Sequence, residues 1–243
     1  MIFQMSKLKL FFKHISNNYN VIPLSKWDGT NSIILRHDVD LDLESAYRLS
    51  YLEEECAICS SFFILMSGHC YNPLSKKNRD MLISMSKRGF DIGLHFDASI
   101  YSTNDKDLLL DKVKYEANLL SEIINEPVKS ISLHNPARYG SIPIFDGFNN
   151  AYNSKIFSEE KYISDSRMIF KHDIYEFVKR AKKDTIQILL HPMHYTETGG
   201  SYLEVFENYF MRLANELDAE FGPNKTYRKD VKDGLATIIR SIN

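Results

Sequence analysis

Four short apolar runs in this chain each end in histidine or aspartate. Ile33-Ile34-Leu35 leads into Arg36-His37-Asp38-Val39-Asp40, Ile92-Gly93-Leu94 into His95-Phe96-Asp97, Ile131-Ser132-Leu133 into His134-Asn135-Pro136, and the run from Ile186 to Leu190 into His191-Pro192-Met193-His194. Runs this short, aliphatic and bounded by turn formers read as buried strands. Each then delivers an acid/base or metal-type side chain at its C-terminal end. In parallel α/β architectures that edge is where the loops face a common mouth. The pattern points to a hydrolytic metal centre.

Helical periodicity fills the gaps between strands. Leu43, Ala46, Tyr47, Ser50 and Tyr51 mark one face of a helix over about 42–56, a second helix over about 76–87 is closed by Gly89, and Leu109, Val113, Ala117, Leu120 and Ile124 stripe a third before Pro127. Further strands are expected at 61–65, 128–133, 162–164 and 185–190, with a helix near 174–182. Such alternation implies an α/β fold on a parallel sheet, either a closed or distorted barrel or an open doubly wound sheet. Residues 136–154, with Gly140, Pro143, Gly147 and several aromatics, are expected to form an ordered lid over the mouth. Tyr202, Val205, Phe206, Tyr209, Phe210, Leu213, Ala214 and Leu217 keep a helical rhythm that a core alone explains. With 243 residues, 44% of them hydrophobic, and no clear linker, one domain over 1–243 is expected.

Charge and cysteine usage narrow the function classes. A net charge of -2 without a basic stripe gives no reason to expect nucleic acid. Cys56, Cys59 and Cys70 are too sparse for a disulfide framework and suit a reducing compartment, with a structural role for the Cys56–Cys59 pair. The first residues lack a signal-type apolar region, and no run approaches the ~18 apolar residues of a membrane span. A soluble, cytoplasmic protein is expected, without stable membrane insertion, whose first helix packs on the domain.

Strand alternation puts Asp38 and Asp40 on one side and His37 and Val39 on the other. A divalent ion can bind one carboxylate and leave the other to accept a proton from metal-bound water. Asp42 reads as the cap of the following helix. A catalytic zinc-like site takes three protein ligands and keeps a position for water. Asp40, His95 and His134 supply that set, for one divalent ion, zinc first among the several metals that such donors accept.

Arg36 to Asp40, Ser61-Phe62-Phe63, Asp91 to Asp97, Ser132 to Pro136, Ile163 to Ser166 and Leu189 to Pro192 also occur in the order expected of a known family. Over roughly Ile33 to Tyr195 the chain resembles the polysaccharide deacetylase family (NodB-homology, carbohydrate esterase family 4). The resemblance implies a distorted (β/α)7-type barrel and hydrolysis of the N-acetyl group of an amino sugar. By it Asp38 matches the catalytic base, Asp40 the metal aspartate, and His95 the first histidine of His-x-x-x-His. Ser99 stands where the second histidine belongs, and His134 where the family more often has arginine. His134 is therefore the preferred third ligand, with Asp97 its competitor. His191 resembles the general acid and Asp165 its acidic partner. Arg36 and His194 either orient the carboxylates, contact substrate or form salt bridges. The implied enzyme is a hydrolase of carbon–nitrogen bonds acting on a glycan precursor such as a sugar nucleotide or lipid-linked saccharide. The alternatives are a hydrolase for another amide or ester, and a non-catalytic glycan-binding or assembly protein.

Overall fold

Alternation along the strands sorts apolar and polar side chains onto opposite faces of one parallel sheet. The structure, a computed structural model, describes residues 2–103, 105–136 and 142–241. The strands are β1 (Val21–Ile22), β2 (Ile33–Val39), β3 (Ser61–Ile64), β4 (Asp91–Phe96), β5 (Ser130–Leu133), β6 (Asn149–Asn150), β7 (Tyr162–Ser164) and β8 (Ile186–Leu190). They run in the order β6-β5-β4-β3-β2-β8-β7, every pair parallel, with β1 against the start of β2. β6 and β7 end the path, so the α/β fold is an incomplete, distorted barrel of seven strands. β1 and β6 are two-residue strands that no sequence periodicity can signal.

The outward face is apolar and carries the helices. Ile33, Leu35, Ile186, Ile188 and Leu190 cluster with Leu8, Phe11, Phe12 and Ile15 of α1 (Met5–Asn18) and with Ile174, Phe177 and Val178 of α5 (Ile174–Val178). Val39, Phe62, Ile64 and Ile92 meet α2 (Leu43–Glu54) and α3 (Lys76–Lys87), and Leu94, Phe96, Ile131 and Leu133 meet α4 (Lys106–Ile124). Burial of each such aliphatic side chain contributes about 1.5–3 kcal/mol. The other face holds Arg36, Asp38, Ser61, Phe63, Asp91, His95, Ser130 and Ser132. Gly93 lies among them because an added Cβ would stand 2.6 Å from the Phe63 ring and 2.9 Å from the Ser130 carbonyl.

The α2 face differs from the expected one. Asp42 does cap it, accepting from the Glu44 and Ser45 amides. The helix buries Leu49 and Glu53 rather than Tyr51, which is 44% exposed. Glu53 turns inward because it meets two buried donors, His37 Nε2 at 2.5 Å and Ser60 Oγ at 2.6 Å. Tyr47 and Tyr51 instead flank the guanidinium of Arg88.

The chain divides into two compact units, Met1–Gly199 and Gly200–Asn243. The first contains every motif of the family resemblance. The second consists of α6 (Tyr202–Phe221), α7 (Lys225–Asp230) and α8 (Leu235–Ser241). Of the expected α6 stripe only Val205, Tyr209 and Ala214 are buried, and Tyr202, Phe210 and Leu217 are exposed. Part of the expected lid, residues 137–141, lies outside the described residues. From the rest, Phe145, Ala151 and Tyr152 are buried. No helix among the described residues is long and apolar enough to cross a membrane.

Candidate active site

Because all strands are parallel, the last residues of β2, β4, β5 and β8 share one edge. Asp40 follows β2 directly, His95 is the penultimate residue of β4, and His134 follows β5, where its amide continues the ladder to the Phe96 carbonyl. Their donor atoms form a triangle. Asp40 Oδ1 lies 3.0 Å from His95 Nε2 and 3.2 Å from His134 Nδ1, and the two nitrogens are 3.3 Å apart. Atoms at these separations fit around an ion bound at the ~2.0–2.2 Å typical of zinc with imidazole and carboxylate. Two imidazoles and a carboxylate are also a donor set that such an ion prefers.

Asp97 is not in this group. Its Oδ1 accepts from the Ser99 amide at 2.9 Å and from Ser99 Oγ at 2.6 Å, capping the turn Ala98–Ile100. Ser99, at the position of the family's second histidine, is thus bonded to Asp97. Burial disfavours the Asp40 carboxylate, yet hydrogen bonds to His134 and His95 outweigh it and hold its pKa well below the ordinary value. Burial likewise lowers His134, but the bond to Asp40 reverses the sign and leaves its pKa raised.

A second acid–histidine group stands beside the first. Asp165 follows β7, fully buried, and accepts from the His191 amide, from His191 Nδ1 at 2.6 Å and from His194 Nδ1 at 3.2 Å. The ligand atoms of Asp165, His191 and His194 also lie close enough together to hold an ion, and the His191 amide on both carboxylate oxygens makes the same group a hydrogen-bonded relay. His191 Nε2 stays turned to the mouth, 3.7 Å from Asp40 Oδ2. Burial opposes a charge on His191, but the Asp165 carboxylate, with Asp40 and Asp38 behind it, pushes its pKa up to about 9. Burial acts against Asp165 too, and the two histidines overcome it, so that its pKa is lowered.

Asp38 sits one pleat below Asp40, with 5% of its side chain exposed. Its Oδ2 is 3.9 Å from His95 Nε2, and its Oδ1 has no hydrogen-bond partner among the described residues. The structure therefore brings Asp38, Asp40, His95, His134, Asp165 and His191 to one mouth and leaves Asp97 nearby, bonded to Ser99 and outside the donor triangle. Two neighbours had no reading in the sequence. Tyr71 bridges the ends of β2 and β3, accepting from the Leu65 amide and donating to the Val39 carbonyl. Tyr152 donates toward the Leu133 carbonyl and accepts from Arg36. Both lie in irregular segments, where no periodicity marks a side chain's direction.

No protein-family model and no curated protein matches the chain. Among solved structures the fold is similar to that of CE4 deacetylases. A chitin deacetylase from Colletotrichum lindemuthianum is 13% identical over 78% of this chain and 84% of its own, with a TM-score of 0.48. A polysaccharide deacetylase from Bacillus cereus is 15% identical over 74% of this chain and 86% of its own, with a TM-score of 0.45. A CE4 family pseudoenzyme from Bacillus anthracis is 14% identical over 77% of this chain, with a TM-score of 0.45. This chain spans 62% of that protein's length, less than two thirds.

Proposed function

We propose that this protein is a metal-dependent hydrolase of the polysaccharide deacetylase type, which removes the N-acetyl group from an amino sugar in a glycan precursor. One observation carries the reading. The Asp40, His95 and His134 triangle is flanked by a buried carboxylate, Asp38, and by a histidine, His191, that Asp165 holds.

An amide resists hydrolysis until its carbonyl is polarised, a water is activated and its nitrogen is protonated. A divalent ion at the triangle supplies Lewis acidity toward the carbonyl and the water. Asp38 accepts the proton of the attacking water. His191, with Nδ1 fixed on Asp165, carries a proton on Nε2 and donates it to the departing amine. Asp165 keeps the ring oriented and favours its charged form. Ser99, in place of a second histidine, favours one other reading, a glycan-binding protein without turnover.

The test joins metal content to product analysis. Elemental analysis is expected to find about one divalent ion per wild-type chain, lost in Asp40→Ala and His95→Ala. Metal-loaded wild type is expected to release acetate from at least one class among N-acetylated sugar nucleotides, lipid-linked saccharides and mature polymer. Saccharide binding without acetate release from any of them overturns the hydrolase reading in favour of the binding protein. Release from polymer alone overturns the precursor assignment.

A further inference from the structure

Arg36 heads the large side chains with no solvent exposure among the described residues. A buried guanidinium must find a counter-charge and acceptors for its fork of N–H groups. Nη1 donates to Ser132 Oγ at 2.9 Å and Nη2 to the Tyr152 hydroxyl at 3.1 Å. The Tyr152 ring lies 4.9 Å from the guanidinium carbon, and the Phe63 and Tyr162 rings each lie 5.8 Å away. Two hydroxyls and three aromatic rings thus hold this cation in place, and Asp38 is its counter-charge. Arg36 and Asp38 are two residues apart on β2, so they share a face.

Asp38 rests against that fixed point on one side only. Its Oδ2 faces Arg36 Nη2 at 3.6 Å, Ser132 Oγ at 3.4 Å and His95 Nε2 at 3.9 Å. Its Oδ1, equally buried, faces no donor among the described residues. Rotation about the last side-chain bond exchanges the two oxygens of a free aspartate. The Arg36 ion pair and the Ser132 hydroxyl, both on one oxygen, oppose that exchange. Ser132 relays the effect, since its hydroxyl accepts from Arg36 and can donate to Asp38.

We propose that Arg36 is the positioning residue of Asp38: acting directly and through Ser132, it holds Oδ2 and fixes the rotation of the carboxylate beside His95. The catalytic role of Asp38 rests on the hydrolase reading above. The orientation of Asp38 does not, and the two can be tested apart.

Crystal structures of zinc-loaded wild type, Arg36→Met and Ser132→Ala give the first arm. Wild type is expected to show one Asp38 orientation, and the variants two or a rotated one. Ser132→Ala removes a single hydroxyl and keeps the test open should Arg36→Met fail to fold. A single unchanged orientation in the variants that fold overturns the proposal. Kinetics give the second arm. Arg36→Met is expected to lower kcat about 10²-fold, the scale of a misplaced catalytic group, with KM within about twofold. Arg36→Lys should recover part of the loss, because an ammonium cannot reach Ser132 and Asp38 as a fork does. The double variant Arg36→Met/Asp38→Asn should be no slower than Asp38→Asn alone, since a residue acting through Asp38 has nothing left to position. Full additivity overturns the proposal. If wild type releases no acetate, the hydrolase reading falls, and the crystallographic arm still decides whether Arg36 orients Asp38.

Discussion

Asp91 and Asp38 are strand carboxylates on the same face of the same sheet, at opposite ends of it. Asp91 opens β4, and its Oδ2 accepts from the Ser25 amide at 3.2 Å, Ser61 Oγ at 2.7 Å and Ser130 Oγ at 2.8 Å. One carboxylate so ties three strands and a loop together at the floor. Asp38 lies at the mouth with Oδ1 unpaired. Leaving a buried polar atom unpaired costs about 1–3 kcal/mol, and a catalytic role is one of the reasons for which native folds accept that cost. Asp91 is tied into the structure by its three donors, whereas Asp38 keeps one buried oxygen without a partner among the described residues.

The contrast predicts opposite phenotypes. Asp38→Asn is expected to keep fold and metal and to lower kcat about 10²–10⁴-fold, the usual worth of a general base; a variant within tenfold of wild type removes Asp38 from that role. Asp91→Ala should leave metal stoichiometry unchanged and destabilise the fold by about 2–4 kcal/mol, because three donors lose their acceptor. Denaturant unfolding of the metal-free protein measures it. Loss of metal in Asp91→Ala without loss of stability would erase the distinction between floor and mouth.

The sequence made the mouth more legible than the floor, for a physical reason. Asp38, Asp40, His95, His134 and His191 stand at or just past the ends of apolar runs, where a period of two fixes the face and a parallel sheet fixes the edge. Asp91 also begins such a run, but its partners Ser25, Ser61 and Ser130 come from three distant segments, and no local pattern announces that they converge. The same holds for Glu53. Helical spacing placed Tyr51 on the inner face of α2, and the structure buries Glu53 because His37 and Ser60 wait there. Tyr152 lies in a stretch with no periodicity at all. Local rules give direction, and tertiary partners decide which polar groups are drawn inside.

A third, smaller effect sharpens the comparison within the mouth. The His191 pKa is raised from about 6.5 to about 9 by Asp165 against the opposing effect of burial. A raised folded-state pKa contributes stability that is fully present below about pH 6.5 and is lost as pH rises through about 9. Metal-free wild type should therefore lose stability over that window, and Asp165→Asn should not. As general acid His191 must be charged, and an ion on Asp40 would offset part of the shift, so the alkaline fall of kcat in the loaded wild type should lie below about pH 9 and lower still in Asp165→Asn. An unchanged alkaline limb in that variant assigns it to another group.

The smallest expected effect separates two oxygens that sequence spacing leaves in competition. Asp97 and Asp40 are both within reach of a histidine-rich edge, but Asp97 spends its Oδ1 on the Ser99 amide and hydroxyl, while Asp40 Oδ1 faces two imidazole nitrogens. Asp97→Ala should thus behave as the loss of a cap, costing about 1 kcal/mol, with metal content as in wild type. His134→Ala should weaken metal binding by more than the roughly 10–100-fold that removing an outer-shell partner costs. Isothermal titration of both variants with zinc compares them directly. The reverse ranking, metal lost with Asp97 and kept without His134, would move the third ligand from β5 to the turn after β4. Asp97 would then have to surrender both bonds to Ser99, and the turn Ala98–Ile100 would lose the cap that now holds it.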